Sequence, residues 1–204
     1  GLDRMLRIVV LMLLLVTATA GHAAAEPDAV VPVRRLQAGL LEAMKGGASL
    51  GLEGRRQQLD PVVRGAFNFP YMMRLVMGRH WETMDEAAQG RLIEAFSRMS
   101  VTTYADRFDD FGGERFEILG EEPGPRDTIW VQTRLVQANG KPVQLNYLTR
   151  RAGENEWRII DVFVDGTVSE LTTKRAEYSA VVARLGVEGL IGELENKAAL
   201  AARR

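Results

Sequence analysis

At Gly112-Gly113 the spacing of apolar residues changes from about 3.6 to 2, which confines the chain to folds that keep helices and strands apart. Before that point the pattern is helical. Val33, Leu36, Leu40, Leu41 and Met44 recur at helical spacing until Gly46-Gly47, and Leu59, Val62, Val63 and Ala66 form a second short stripe. Pro70 suits the first turn of another helix, where its missing N–H costs no bond. Met72, Met73, Val76 and Met77 follow it, and Gly78 ends the stripe. Thr83 with Glu86 three residues later reads as a capping box. It opens the longest helix, roughly 84–110, with Leu92, Phe96, Met99 and Thr103 on one face.

Beyond the glycine pair the pattern is that of strands. Phe116 and Ile118 begin one. Ile129, Val131, Thr133 and Leu135 alternate with Trp130, Gln132 and Arg134, and Val143, Leu145 and Tyr147 alternate on the return strand. Asn139-Gly140 between them predicts a type I′ hairpin turn, whose two central residues both need φ > 0. Trp157 to Val164 is almost wholly apolar, as expected of a central strand covered on both faces. Leu171, Tyr178, Val181, Val182 and Leu185 return to helical spacing, Gly186 interrupts it, and Val187, Leu190, Ile191 and Leu194 resume it. Such segregation predicts an α+β fold: a curved four-stranded antiparallel sheet with helices packed on one face, enclosing a cavity between them.

The first residues read as an address. Arg4 and Arg7 precede an unbroken apolar run from Ile8 to Val16, and small residues lead to Ala23-Ala24-Ala25 ahead of Glu26-Pro27. That order predicts a secretory signal peptide over residues 1–25, cleaved near Ala25. Met5 is then the expected start, with Gly1 to Arg4 an upstream extension. The run is too short for a membrane-spanning helix, which needs about 20 apolar residues. Residues 26–204 are expected to form a single periplasmic domain. The sequence has no cysteine, which excludes disulfides, thiolate metal sites and Cys nucleophiles. A net charge of −1 lacks the basic field that a nucleic-acid backbone requires, so no nucleic-acid partner is expected.

Catalytic groups are sparse. Once His22 leaves with the signal, His80 is the remaining histidine, in Gly78-Arg79-His80-Trp81 at a helix end. One histidine without cysteine cannot build a His-rich metal site, and no nucleotide-binding glycine pattern is present, so no metal or cofactor is expected. Asp161, inside the apolar run Ile159-Ile160-Asp161-Val162-Phe163, must be paired or hydrogen-bonded if buried. Arg134 and Arg150 are conceivable partners on neighbouring strands. Against a carrier stands one enzymatic alternative, an isomerase or dehydratase using Asp161 and His80. The positive signal is the soft cluster Phe67, Phe69, Met72, Met73, Met77, Phe96, Met99 and Phe108 on the helices ahead of the sheet. Methionine fills irregular space and suits surfaces that accept variable shapes.

Several segments resemble one family. They are Phe67-Asn68-Phe69 through Gly78-Arg79-His80-Trp81, then Leu92-Ile93-Glu94-Ala95-Phe96 and Thr103-Tyr104-Ala105. Further on come Gly140-Lys141-Pro142, Trp157 to Val162, Asp165-Gly166 and Gly186-Val187-Glu188-Gly189-Leu190-Ile191. In order and spacing they resemble the toluene-tolerance (Ttg2/MlaC) family of periplasmic lipid-binding proteins, over about residues 30–197. The resemblance implies an NTF2-like sheet with helices and a deep apolar pocket. It also implies a non-enzymatic role, carrying phospholipid between an inner-membrane ABC transporter and an outer-membrane complex. A branch of the family, HpnM, accompanies hopanoid biosynthesis. The family's Gly-x-Ser-Leu after the last strand reads here Gly166-Thr167-Val168-Ser169-Glu170-Leu171, so phospholipid and hopanoid both stay open as cargo. Alternation and resemblance together place Phe69, Met73, Phe96, Met99, Ile129, Val131, Leu145, Tyr147 and Phe163 on the pocket wall. Arg79, Tyr147 and Arg150 are the expected head-group rim.

Overall fold

Glycine sets the shape of the first helical region. A computed structural model describes residues 29–201, so the expected signal segment lies outside the described residues. Helix α1 (Val31–Ala66) is broken at Gly47 and Gly51, whose φ values of +42° and +63° lie in the left-handed region that favours glycine. The chain doubles back there. A Cβ on Gly39 of the first arm would fall 2.5 Å from Val62 Cγ1 of the second, so the arms meet at a glycine because only a glycine allows that approach. Arg55 clamps the bend from inside: its guanidinium donates to the carbonyls of Gly47 (2.7 Å) and Ala105 (2.8 Å).

Helix α2 (Phe69–Met77) starts as expected. Asn68 accepts from the Tyr71 N–H, and Pro70 stands in the first turn. A single turn, α3 (Arg79–Glu82), leads to α4 (Glu86–Arg107). Thr83 does not cap α4. Asp85 does, with extended backbone and its carboxylate accepting from the Ala88 N–H at 2.7 Å. A carboxylate at a helix N-terminus is also favoured by the helix dipole, which a hydroxyl is not. Thr83 instead donates to the His80 carbonyl.

The strands are β1 (Arg115–Pro123), β2 (Thr128–Val136), β3 (Pro142–Arg151), β4 (Trp157–Val164) and the two-residue β5 (Val168–Ser169), paired antiparallel in that order. The four-stranded meander is thus present, with β5 appended. Two expectations need correction. The β2–β3 turn is not type I′, because Gly140 has φ +81° and Asn139 is not left-handed. Gly140 donates to Gln137 and Gln137 to Lys141, a three-residue loop closed by one left-handed glycine. Strand β4 is not central: only β5 and a bridge from Phe67 to Ile159 lie beyond it. It is nonetheless buried from Ile159 to Val162, because α1, α2 and α5 all pack on it.

Helix α5 (Glu170–Ala201) ends the described chain and is broken at Gly186, φ +72°, where the sequence placed a stop. Its second arm returns along the first, as the Lys197–Glu177 and Arg184–Glu193 ion pairs show. Ion pairs also tie one helix to another, Arg64 to Glu94 between α1 and α4, and Arg91 to Glu188 between α4 and α5.

Removing the Arg55 guanidinium would leave two carbonyls without their donor. Arg55→Met is expected to cost about 2–4 kcal/mol of unfolding free energy in urea titrations. Arg56→Met, one residue on, removes only a surface pair with Glu53 and is expected to cost less than about 1 kcal/mol. Equal losses for the two variants would contradict the clamp.

Candidate functional site

The inner face of the sheet and the helices do not close on each other. Between them lies a cavity of about 880 Å³. From the sheet its wall takes Leu135, Val143, Leu145, Tyr147, Val162 and Val164; from the helical side, Leu40, Met44, Phe67, Phe69, Met72, Phe96, Met99, Tyr104, Phe108 and Leu171. The aromatic rings form a connected frame. Phe67 stacks on Phe69 (centroids 5.4 Å apart), Phe69 meets Phe96 edge-on (5.6 Å), and Phe67, Tyr104 and Phe108 continue the row. Rigid aromatic walls and pliable methionines together make a space that keeps its volume yet adapts its outline.

Two phenols stand in this wall, and burial raises both above the ordinary tyrosine value, Tyr147 to about 12. Both therefore stay neutral at physiological pH. Behind Tyr147, Gln37 donates to the Thr133 hydroxyl at 3.1 Å, and that hydroxyl donates to the Leu145 carbonyl. The Gln37 amide and the Thr133 hydroxyl are thus satisfied behind that stretch of wall. Charged wall residues come from three places: Arg107 at the end of α4; Asp109, Asp110 and Glu114 on the connection to β1; and Glu170, Lys174 and Lys197 on α5. A mainly apolar chamber with charges along part of its border is the shape of an amphiphile. A second groove, of about 850 Å³, lies between the arms of α1 and the β3–β4 turn. No phenylalanine or methionine lines it, and none of the expected pocket residues borders it.

Five expected pocket residues stand on the cavity wall: Phe69, Phe96, Met99, Leu145 and Tyr147. Met73, Ile129, Val131 and Phe163 do not. Met73 and Val131 are wholly enclosed by their neighbours and serve as core. Ile129 packs against that core from a half-buried position. Phe163 points to the other face of the sheet, where it meets Trp130 edge-on at 4.6 Å. Its neighbours Val162 and Val164 both reach the cavity, so the two-residue period turns Phe163 away. The rim differs too. Arg79 lies exposed on α3 away from the cavity. Arg150 donates to the Tyr71 hydroxyl at 2.7 Å and lies over that ring. Tyr147 is a buried wall residue, not a rim one. Leu40, Met44, Phe67, Met72, Tyr104 and Phe108 were missing from the expected wall, although all but Tyr104 lie in stripes or clusters visible in the sequence.

A family model described as MlaC protein matches residues 34–196. Among solved structures, the chain is similar to a phospholipid-binding protein from Ralstonia solanacearum, determined in complex with a phospholipid. The TM-score is 0.74 at 23% identity, over 86% of this chain and 99% of that one. At that identity the likeness establishes the fold: an α+β arrangement of antiparallel sheet and helices.

The groups named for an enzyme are not assembled into one. Neither His80 nor Asp161 lines the cavity. The Asp161 carboxylate accepts from the Ser169 hydroxyl (2.6 Å), the Leu171 N–H (3.1 Å) and the Val162 N–H (2.8 Å), while Ser169 Oγ accepts from the Thr172 N–H. It anchors the start of α5 to β4, and among the described residues no salt bridge joins it to an arginine. Burial raises its pKa above the ordinary value, and these hydrogen bonds only partly offset that. A carboxyl group whose folded pKa is raised penalises folding above that pKa, and the penalty vanishes below the unfolded value of 3.8. The stability difference between wild type and Asp161→Asn is therefore expected to shift against the wild type between pH 4 and pH 7. Urea midpoints of both proteins at the two pH values would measure this, and a shift in the opposite direction would contradict the burial argument.

Proposed function

The chain belongs to the MlaC family, and on that premise we propose that it is a periplasmic carrier that takes a phospholipid out of one membrane and delivers it to the other. It is a lipid-binding protein and not an enzyme. One observation carries the cargo assignment: an 880 Å³ chamber walled by aliphatic and aromatic side chains from both layers of the fold, with charges on part of its border. The similar structure from Ralstonia solanacearum holds a phospholipid, which supports the same class of cargo here.

The energetics call for such a chamber. Each CH₂ withdrawn from water is worth about 0.8 kcal/mol, so two sixteen-carbon tails, with about thirty CH₂ groups, would cost on the order of 20 kcal/mol to expose. Lipid leaves a bilayer on a useful timescale only if the acceptor offers comparable apolar surroundings. Binding much tighter than the membrane would block delivery. Adaptable methionines at Met44, Met72 and Met99 suit tails of varying length and unsaturation. An inner-membrane transporter and an outer-membrane complex are the proposed docking partners. A hopanoid, the other cargo left open by the sequence, would bring a rigid fused-ring body in place of two flexible tails.

Protein purified from its native envelope and extracted with organic solvent would identify the cargo by mass spectrometry. We expect phospholipid at close to one molecule per chain. Hopanoid in its place would move the protein to the other branch, and an empty extract would count against the carrier role. Leu145→Trp, which fills the chamber from the sheet, is expected to lower bound lipid severalfold, whereas Phe163→Leu on the opposite face should leave it unchanged.

A further inference from the structure

Two lysines border the chamber in a position that hydrocarbon tails do not explain. Lys174 lies on the first arm of α5 and Lys197 on the second, and both belong to the cavity wall. The hairpin at Gly186 brings them to one carboxylate, Glu177, with Nζ–O distances of 3.6 Å and 3.1 Å. Burial alone would raise the pKa of Glu177, yet the two ammonium groups hold it below the ordinary value. The trio thus holds two positive charges to one negative. Lys174 also sits over the Tyr178 ring, 6.0 Å from its centroid, which limits where its ammonium can swing.

We propose that Lys174 and Lys197 form the head-group site, their ammonium groups taking the phosphate of the phospholipid whose tails fill the chamber. The assignment rests on the carrier reading above. A lysine ammonium is a compact, strongly charged donor and a good partner for phosphate. Two of them, on antiparallel arms, can approach one phosphate from two sides. Glu177 holds the like charges together, and the phosphate supplies the second anion that the trio lacks. The lysine side chains are 26% and 51% exposed, so the phosphate would sit at the water boundary while the tails point inward. An uncharged lipid with the same tails gains nothing from the pair. The site therefore selects for the phosphodiester, not the tails.

The test is a competition. The full chain is incubated with vesicles of phosphatidylethanolamine, phosphatidylglycerol and diacylglycerol in equal parts and with identical acyl chains, then re-isolated and extracted for mass spectrometry. Wild type is expected to hold the two phospholipids over diacylglycerol by about tenfold or more. K174Q/K197Q is expected to lose most of that preference, and a far-UV circular dichroism spectrum and urea midpoint close to those of wild type show the variant to be folded. Millimolar inorganic phosphate is expected to leave the wild-type preference standing. Its collapse would reassign the pair to free phosphate and overturn the head-group role, as would an unchanged preference in K174Q/K197Q. A wild type that takes up no lipid at all would overturn the carrier reading instead.

Discussion

An interior of about 880 Å³ kept free of the protein's own side chains is the constraint on which the rest of this structure depends. The space is partly open to solvent, so its apolar wall stays in contact with water until an apolar occupant covers it, a gain of about 25 cal/mol per Å². Such a wall is served by an occupant, and it persists only if the surrounding shell resists collapse. Both features follow from side chains of the shell.

The shell resists collapse because its two layers are rigid for different reasons. The meander is braced by antiparallel ladders from β1 to β4, with one register shift in β1–β2 and one in β3–β4, and Tyr147 and Val162 lie directly opposite each other in its inner face. The helical layer includes two hairpins, α1 and α5, each bent at glycine with left-handed backbone, so that each of their arms has a partner, and α4 packs on both. The arms of α1 approach closely at Gly39, and Arg55 clamps their bend to α4. Much of the core lies among the helices, at Leu36, Leu59, Val63, Met73 and Leu92, and Val131 and Ile159 of the sheet join it. Asp161 completes the shell by holding α5 to β4. A residue that a catalytic search would single out is thus needed to keep the wall in place.

Much of the element plan could be read from the chain. The breaks at Gly47 and Gly186, the helix start at Asn68-Phe69-Pro70 and the hairpin at Asn139-Gly140 all lie where apolar spacing and turn chemistry put them. The errors are local choices between chemically similar options. Asp85 capped α4 instead of Thr83 because two cap formers stand two residues apart and their spacing alone does not rank them. The β1–β2 turn uses left-handed Arg126 and Asp127, and only the aspartate is of a type that readily takes that backbone. The uniformly apolar β4 concealed its own alternation, so Phe163 was placed on the wrong face.

The sequence by itself determined where most of the helices and the four long strands lie, and in what order. Periodicity and glycine positions are local properties, and they are written in consecutive residues. Only the tertiary structure decided which apolar side chains face the chamber and which fill the core. Met72 and Met73 are adjacent and chemically identical, yet one lines the cavity and the other is sealed among the helices. The same holds for the charges, since Lys174, Glu177 and Lys197 become neighbours only when α5 folds back at Gly186. Burial and proximity depend on where distant segments come to rest, and no pattern along a single element encodes that.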